Sequence, residues 1–386
     1  MTKWLRYILI LSLLLLTCTG CWSKIELDEW VFVYGLFIDV GEQPGTLKVY
    51  ISTPLPNHLN NGEQSGGNSP GEKPYALISK TADTIPDALQ KIQEDMTRRL
   101  NLSEIRVIVI GKKFAALGIA DLLEWIKRES SVSMGAFMLA ADNISDIAQL
   151  TPVYEQAPTQ VLTSFASERH MMNTTARDCL ISNAAGLGFP LTYLYSERIP
   201  SEEQPKQILN WTGIGGAALF NKEKMKGRLE IEEGKALAWA YGRLQNPIYS
   251  IVWDGEKSRA SVLFTQSNSS YEAKLEDGRP VFTIRISGRA SVSKVRDIKK
   301  RNSLHLSAVI IERLNERIGS EVERAMEATQ QASTDVLRLG ELLEWKYPSY
   351  WQAHREDWEK TYKEGTTIKI ITDFKINDFG KQTQDS

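Results

Sequence analysis

Strand patterns alternating with amphipathic helices in the first half, and a run of antiparallel strand patterns followed by one long amphipathic helix in the second, predict a multi-domain α+β protein of mixed β-sheets covered by helices. The size agrees, because 386 residues exceed what one hydrophobic core usually organises. With 42% hydrophobic and 24% charged residues the chain is too apolar for disorder. The 46 Lys and Arg against 48 Asp and Glu leave a net charge of −2, which gives no footprint for nucleic acid.

Residues 1–20 stand apart from the fold. Lys3 and Arg6 precede an almost purely apolar run, Tyr7 to Leu16. It is about half the length of a membrane-spanning helix and matches a signal-peptide core. Thr17-Cys18-Thr19-Gly20-Cys21 follows, and a small residue before a cysteine at this place resembles the lipobox of bacterial lipoproteins. That resemblance implies cleavage before Cys21 and attachment of diacylglyceryl and N-acyl (palmitate-type) groups there; an ordinary secretory signal is the competing reading. Cys18 stands at −3, where a branched aliphatic residue is usual. After such cleavage Cys179 is the one remaining thiol, so no intramolecular disulfide forms and the fold relies on its core. Two acyl chains suffice for stable anchoring.

Val31 to Val40 and Thr46 to Thr53 are β-branched and aromatic runs around Gly41-Glu42-Gln43-Pro44-Gly45, which predicts a hairpin. Pro54 to Pro74 is rich in Asn, Gly, Ser and Pro and reads as a surface excursion. Tyr75 to Lys80 predicts a strand. From Thr84 the period changes: Ile85, Ala88, Leu89, Ile92, Met96 and Leu100 recur at helical spacing. Ile105 to Ile110 predicts a strand, Phe114 to Ile126 a helix, Met134 to Ala141 a strand, and Thr159 to Met172 a helix. The polar stretch Ser196 to Lys206 reads as a linker, placing a domain boundary near residue 200.

Beyond it, Trp211 to Phe220 is apolar and Gly-rich, and Glu230 to Tyr241 predicts a helix. Tyr249 to Trp253, Ser261 to Thr265, Ser270 to Leu275 and Val281 to Val292 predict antiparallel strands, the last two joined at Glu276-Asp277-Gly278-Arg279. Leu304 to Gln331 carries one apolar stripe, Ile311, Leu314, Ile318, Val322 and Ala325, and predicts a long helix. Two shorter helices, Asp335 to Lys346 and Ser349 to Lys363, and a last strand, Thr366 to Ile376, complete the expectation.

Catalytic chemistry finds little support. His58, His170, His305 and His354 lie far apart, none at metal-ligand spacing from another His or a Cys. No Gly-x-Ser-x-Gly elbow occurs. Gly213-Ile214-Gly215-Gly216 lacks the Lys-Ser/Thr of a phosphate loop and reads as close backbone packing. The acidic pairs Glu202-Glu203, Glu232-Glu233 and Glu356-Asp357 read as solvated surface rather than glycosidase carboxylates. Lys294 to Arg301 is basic, and reads either as a solvated connection or as a contact for anionic head groups. Trp345, Tyr347, Tyr350, Trp351, Trp358 and Tyr362 crowd the C-terminal helices, and core packing is the first expectation. The expectation is a protein that is not an enzyme and needs no cofactor or metal.

Cys21-Trp22-Ser23-Lys24-Ile25-Glu26-Leu27 followed by Gly35-Leu36-Phe37-Ile38-Asp39 resembles the start of the Ger(x)C lipoproteins, the C subunits of spore germinant receptors. The resemblance continues at Gly215 to Gly227, leading into Gly227-Arg228-Leu229, and then at Gln330, Gln331, Asp335, Gly340, Tyr347-Pro348, Trp351, Trp358 and Asp378-Phe379-Gly380. It departs at Ser23, Phe37 and Leu337-Arg338-Leu339, and transfers one site residue, Cys21. It implies an elongated protein: a signal peptide over 1–20, an N-terminal α/β region over 21–200 (two subdomains, about 21–150 and 151–200), and a C-terminal α/β domain over 201–386. It further implies a lipid-anchored subunit on the outer face of the spore inner membrane, partnered by the integral membrane A and B subunits and by the bilayer, with no nucleic acid. A solute-binding lipoprotein of a transporter is the alternative, and an exported cell-wall hydrolase a weaker one.

Overall fold

The computed structural model describes residues 26–55, 73–202, 206 and 208–379, with Trp4 and Tyr7; Cys18, Cys21 and most of the polar excursion lie outside the described residues. Strands β1 (Trp30–Phe32), β2 (Gly35–Val40), β3 (Leu47–Pro54) and β4 (Tyr75–Ala82) are followed by helix α1 (Ile85–Glu94). Then come β5 (Arg99–Asn101), β6 (Val107–Gly111), α2 (Lys112–Leu117), α3 (Ala120–Arg128), β7 (Phe137–Ala141), α4 (Ile144–Ala148), α5 (Pro158–Ser167), α6 (Ala176–Ala184), β8 (Gly188–Pro200), β9 (Ile208–Asn221) and β10 (Lys224–Leu229).

Eight of these strands form one mixed sheet in the order β10-β9-β8-β7-β6-β2-β3-β4. Its centre, β2, β6, β7 and β8, is parallel and its two margins are antiparallel. β6, β7 and the first four residues of β2 are apolar throughout because both faces are covered. Leu36, Ile38, Ile108 and Ile110 pack with residues of α1, α2, α3 and α6 in one layer, and Phe37, Val107, Val109 and Leu139 with α4 and α5 in the other. The shortest of these helices, α4, is absent from the sequence expectation, as is α6, whose hydrophobic pattern is weak and whose start is fixed by reciprocal Thr175–Asp178 capping.

Several expectations change: the helix expected from Thr84 through Leu100 ends at Glu94, with Leu100 in β5, and the one expected over Phe114 to Ile126 is two, α2 and α3, broken at Gly118 (φ 129°). The single strand expected over Val31 to Val40 breaks at Val33-Tyr34, since Val33 N–H donates to Asn101 (2.9 Å) and Tyr34 N–H to Ser52 (2.8 Å), and β1 turns to pair with β5 instead. The stretch expected as a linker near residue 200 is the distal part of a β8–β9 ribbon paired from Gly188↔Asn221 to Pro200↔Ile208. Its outer half is largely exposed, so it carries polar residues, and polarity alone cannot tell a solvated ribbon from a linker. The chain leaves the first sheet only after β10.

Helix α7 (Ile231–Ala240) leads to a four-stranded sheet, β11 (Ile248–Trp253), β12 (Ser258–Glu276), β13 (Arg279–Arg296) and β14 (Thr367–Asp378), with β14 parallel to β13. The two strands expected at 261–265 and 270–275 are one strand, β12. Register shifts at Ser261/Val262 and Phe264/Gln266 break the alternation without ending the ladder. Helix α8 (Ser303–Gln331), capped by Asn302 Oδ1 accepting from His305 N–H (3.0 Å), runs for about 43 Å. It buries Leu306, Ile310, Leu314, Ile318, Val322 and Ala325; Ile310 takes the place expected of Ile311, which is only half-buried. Helices α9 (Leu339–Lys346), α10 (Pro348–His354) and α11 (Trp358–Lys360), with a π-turn over Thr361–Gly365, precede β14. Trp239, Phe264 and Phe374 meet in the centre, with ring centroids 4.7 to 5.4 Å apart.

The two halves share a core: Met171, Met172, Leu187, Ala217 and Leu219 pack into the same cluster as α7, α8 and the second sheet. Polar links reinforce the join. Gly188 N–H donates to the Asp335 carbonyl (3.3 Å), Asn221 Nδ2 to the Ser333 carbonyl (3.1 Å), and Lys222 pairs with Glu359 (2.8 Å).

Candidate functional site

Lipid-attachment candidate Cys21 lies outside the described residues; of the other residues that carry the resemblance, Gln330, Asp335, Gly340, Trp351 and Trp358 converge on one buried knot. Helix α8 ends at Gln331, and Ser333 takes a left-handed turn (φ 52°) that drives Asp335 into the interior. The Asp335 carboxylate, 3% exposed, accepts from Leu339 N–H (2.9 Å), Gly340 N–H (2.7 Å) and Trp358 Nε1–H (3.0 Å). Burial pushes its carboxyl up, opposed by these donors. At Gly340 a Cβ would stand 2.6 Å from the Trp351 ring, so only glycine admits the Trp351–Trp358 edge-to-face pair (5.3 Å).

Gln330 joins the knot to the last strand: its Nε2 donates to the Tyr362 carbonyl (3.1 Å) and to Thr366 Oγ1 (3.0 Å), while Thr329 and Tyr362 share a buried hydroxyl pair (2.7 Å). Trp351, Trp358 and Tyr362 are core, as their spacing suggested; Trp345 is 88% exposed.

The N-terminal motif has a comparable structural role. Asp39 Oδ1 accepts from Phe114 N–H (3.0 Å), capping α2 from another strand, and a Cβ at Gly111 would lie 2.1 Å from the Asp39 carboxyl carbon. Nearby, Asp142 accepts from Tyr193 Oη (2.6 Å), with Lys112 at 3.3 Å and Arg228 at 3.6 Å. This cluster lies at the carboxyl ends of parallel strands, where open α/β sheets bind ligands, yet its charges are spent on one another. In the glycine-rich stretch, Gly216 (φ 136°) sits where a Cβ would be 1.9 Å from the Leu229 carbonyl oxygen, which is the close packing that the sequence suggested.

Between the halves runs a crevice of about 510 Å³, lined among others by His170, Lys235, Tyr249, Arg317 and Glu321. Arg317 Nε donates to Glu321 (2.8 Å) and its guanidinium lies over the Tyr249 ring. Tyr249 Oη has no hydrogen-bond partner among the described residues, and burial pushes its phenol up. Cys179 is fully buried and its thiol is likewise raised by burial, so it packs as a small apolar group. Among the described residues no three His, Cys, Asp or Glu side chains are grouped to hold a metal ion. None of the described helices is long and apolar enough to cross a membrane.

The basic run Lys294 to Arg301 ends β13 and turns into α8. Arg301 pairs with Asp254 (2.9 Å) and with Asp297, and Lys299 with Asp254 (2.8 Å). Hydrogen bonding to Lys299, followed by Arg301, holds the Asp254 carboxyl below its usual value; for Asp297, burial is outweighed by the N–H groups of Arg301 and Lys299 and the net direction is also down.

Comparison with known proteins places these features together. Residues 23–181 match the family described as "Spore germination protein N-terminal domain", and 215–380 match "Spore germination B3/ GerAC like, C-terminal". The chain is 24% identical over 379 residues to spore germination protein KC of Bacillus subtilis (strain 168), covering 93% of this chain and 91% of that one. It is 22% identical to spore germination protein B3 of the same organism, covering 96% and 97%, and 22% identical to spore germination protein GerQC of Bacillus cereus, covering 98% and 99%. The crystal structure of the GerBC protein superposes with a TM-score of 0.56 at 15% identity, over 88% of this chain and 96% of that one, and so shares the fold. With both matched regions in order along nearly its whole length, the chain belongs to the Ger(x)C family of spore germination proteins.

Proposed function

We propose that this protein is a lipid-anchored, non-catalytic subunit of a spore nutrient germinant receptor, acting with A- and B-type integral membrane subunits to trigger germination. The observation that carries the reading is the ordered pair of family matches, 23–181 and 215–380, the first starting two residues after Cys21. In this reading Cys21 bears the acyl groups, the folded halves stand on the outer face of the spore inner membrane, and the Asp335 knot is structural.

Two measurements test it. A tagged copy extracted gently from spore membranes should bring down two multi-pass membrane proteins; recovery with transporter permease and ATPase subunits instead would establish the solute-binding alternative. Cys21→Ala should leave the fold intact and lose stable membrane retention, and a variant that stays on membranes through a salt wash in cells lacking the partner subunits would overturn acylation as the anchor.

A further inference from the structure

The end of the C-terminal half where β12 begins, β13 ends and α8 begins is strongly basic. Residues 254–260 and 294–304 hold Lys257, Arg259, Lys294, Arg296, Lys299, Lys300 and Arg301 against Asp254, Glu256 and Asp297, in a chain whose net charge is −2. Two of the three acids are already consumed by Arg301 and Lys299. Among the described residues, Lys257, Arg259, Lys294, Arg296 and Lys300 have no acidic partner within ion-pair distance and all five are exposed.

Arg259 is directly opposite Arg296 in the ladder, and Lys294 opposite Ser261, so the two arginines and Lys294 share the sheet face opposite buried Ala260. Like charges directly across a strand pair destabilise it. Holding them there without a countercharge leaves a site whose partner is anionic. The α8 N-terminus adds its positive dipole end to the same tip.

Two large apolar side chains emerge among these cations. Ile298 is 46% exposed in the turn between Arg296 and Lys299, and Leu304 is 79% exposed in the first turn of α8. The turn is held stiffly: Asp297 accepts from Arg301 N–H (2.7 Å), Ser258 Oγ accepts from Ile298 N–H (3.2 Å), and Arg301 ties Asp297 to Asp254. Ile298 is therefore presented by a braced turn instead of hanging on a loose one.

We propose that this tip is a docking surface for an anionic lipid bilayer, with Lys257, Arg259, Lys294, Arg296 and Lys300 against the head groups and Ile298 and Leu304 entering the interface. Cations favour both an acidic protein face and a membrane, but protruding aliphatic side chains ringed by Lys and Arg are the pattern of interfacial insertion, where long basic side chains reach back to the phosphates. The surface is separate from acylation at Cys21: membrane retention reads the acyl anchor, and local protection reads the tip.

The test uses the full chain, acylated and reconstituted by its N-terminus in nanodiscs of phosphatidylcholine alone or with added phosphatidylglycerol, and follows amide hydrogen exchange over residues 294–304. Protection is expected to rise with phosphatidylglycerol and to be lost in Lys257→Gln/Lys294→Gln/Arg296→Gln/Lys300→Gln, whose stability should be no lower than the parent's, because these side chains make no ion pair and the loss of Arg296 relieves its repulsion with Arg259. In a titration with free phosphatidylglycerol vesicles, removing the four charges should weaken tip engagement by about a hundredfold or more. Equal exchange on both lipid compositions overturns the proposal. So does protection that appears only when other membrane subunits are co-reconstituted, which would assign the tip to an acidic protein surface.

Discussion

At the scale of single residues, Asp335 and Gly340 show how much of this family's signature is architecture. A carboxylate that receives three buried donors leaves all three unsatisfied when it is removed, so Asp335→Ala should destabilise the protein by about 3 kcal/mol or more. Urea denaturation checks this, and a midpoint unchanged from the parent would show that water replaces the carboxylate without cost. Gly340→Ala overpacks against Trp351 and should cost about 1 to 3 kcal/mol by the same assay, with no loss of the far-UV spectrum. The sequence marks both residues as notable but not why. The partners of Asp335 are four to 23 positions away and meet it only because the chain reverses at Ser333 and again after α10. Asp39 is a similar case, since its helix begins more than 70 residues later and no local capping pattern betrays it.

Elements were legible in proportion to their periodicity. The stripe of α8 and the β-branched runs of β2 and β6 are read directly from spacing, because burial on one helical face or on both sheet faces imposes it. The ribbon β8–β9 and the single strand β12 were not, because exposed strands need no apolar alternation. The turn between β13 and α8 yields a pH prediction. The carboxyls of Asp254 and Asp297 are lower in the folded chain than in an unfolded one, so their contribution is fully present above the unfolded value of about 3.9 and is lost as pH falls toward their folded values. Protection factors for the amides of residues 297–301 should hold steady from pH 8 to 5 and decline below about pH 4. A decline that instead centres near neutrality would assign the turn's stability to other groups.

On the scale of the whole molecule, the expected division near residue 200 and the observed pairing have different experimental consequences. Division of the chain into 21–200 and 201–386 remains our proposal for its sequence organisation, but β9 and β10, which follow residue 200, belong to the first sheet. A nick confined to residues 203–207 should leave the two pieces associated on native gel filtration, held by the β8–β9 ladder and the shared core. The fragment 201–386 made alone should be poorly soluble, because β9 and β10 would have no sheet to join. A well-folded soluble monomer of that fragment would show that the C-terminal half carries its own core without them.

The parallel strand β14 has a consequence for how the molecule comes into being. It lies beside β13 from Val281↔Thr367 to Ala290↔Ile376, so the second sheet closes only when segments some 86 residues apart in the chain have met. Every element between them, α8 included, must be laid down first. The second sheet is therefore completed only once residues 367–378 have been made, and until they arrive the nascent chain carries the open edge of β13 and part of the apolar stripe of α8 uncovered. Under the export proposed above, a chain threaded through a channel in extended form meets this condition without difficulty, whereas one that folded progressively from its N-terminus would expose that surface throughout the wait.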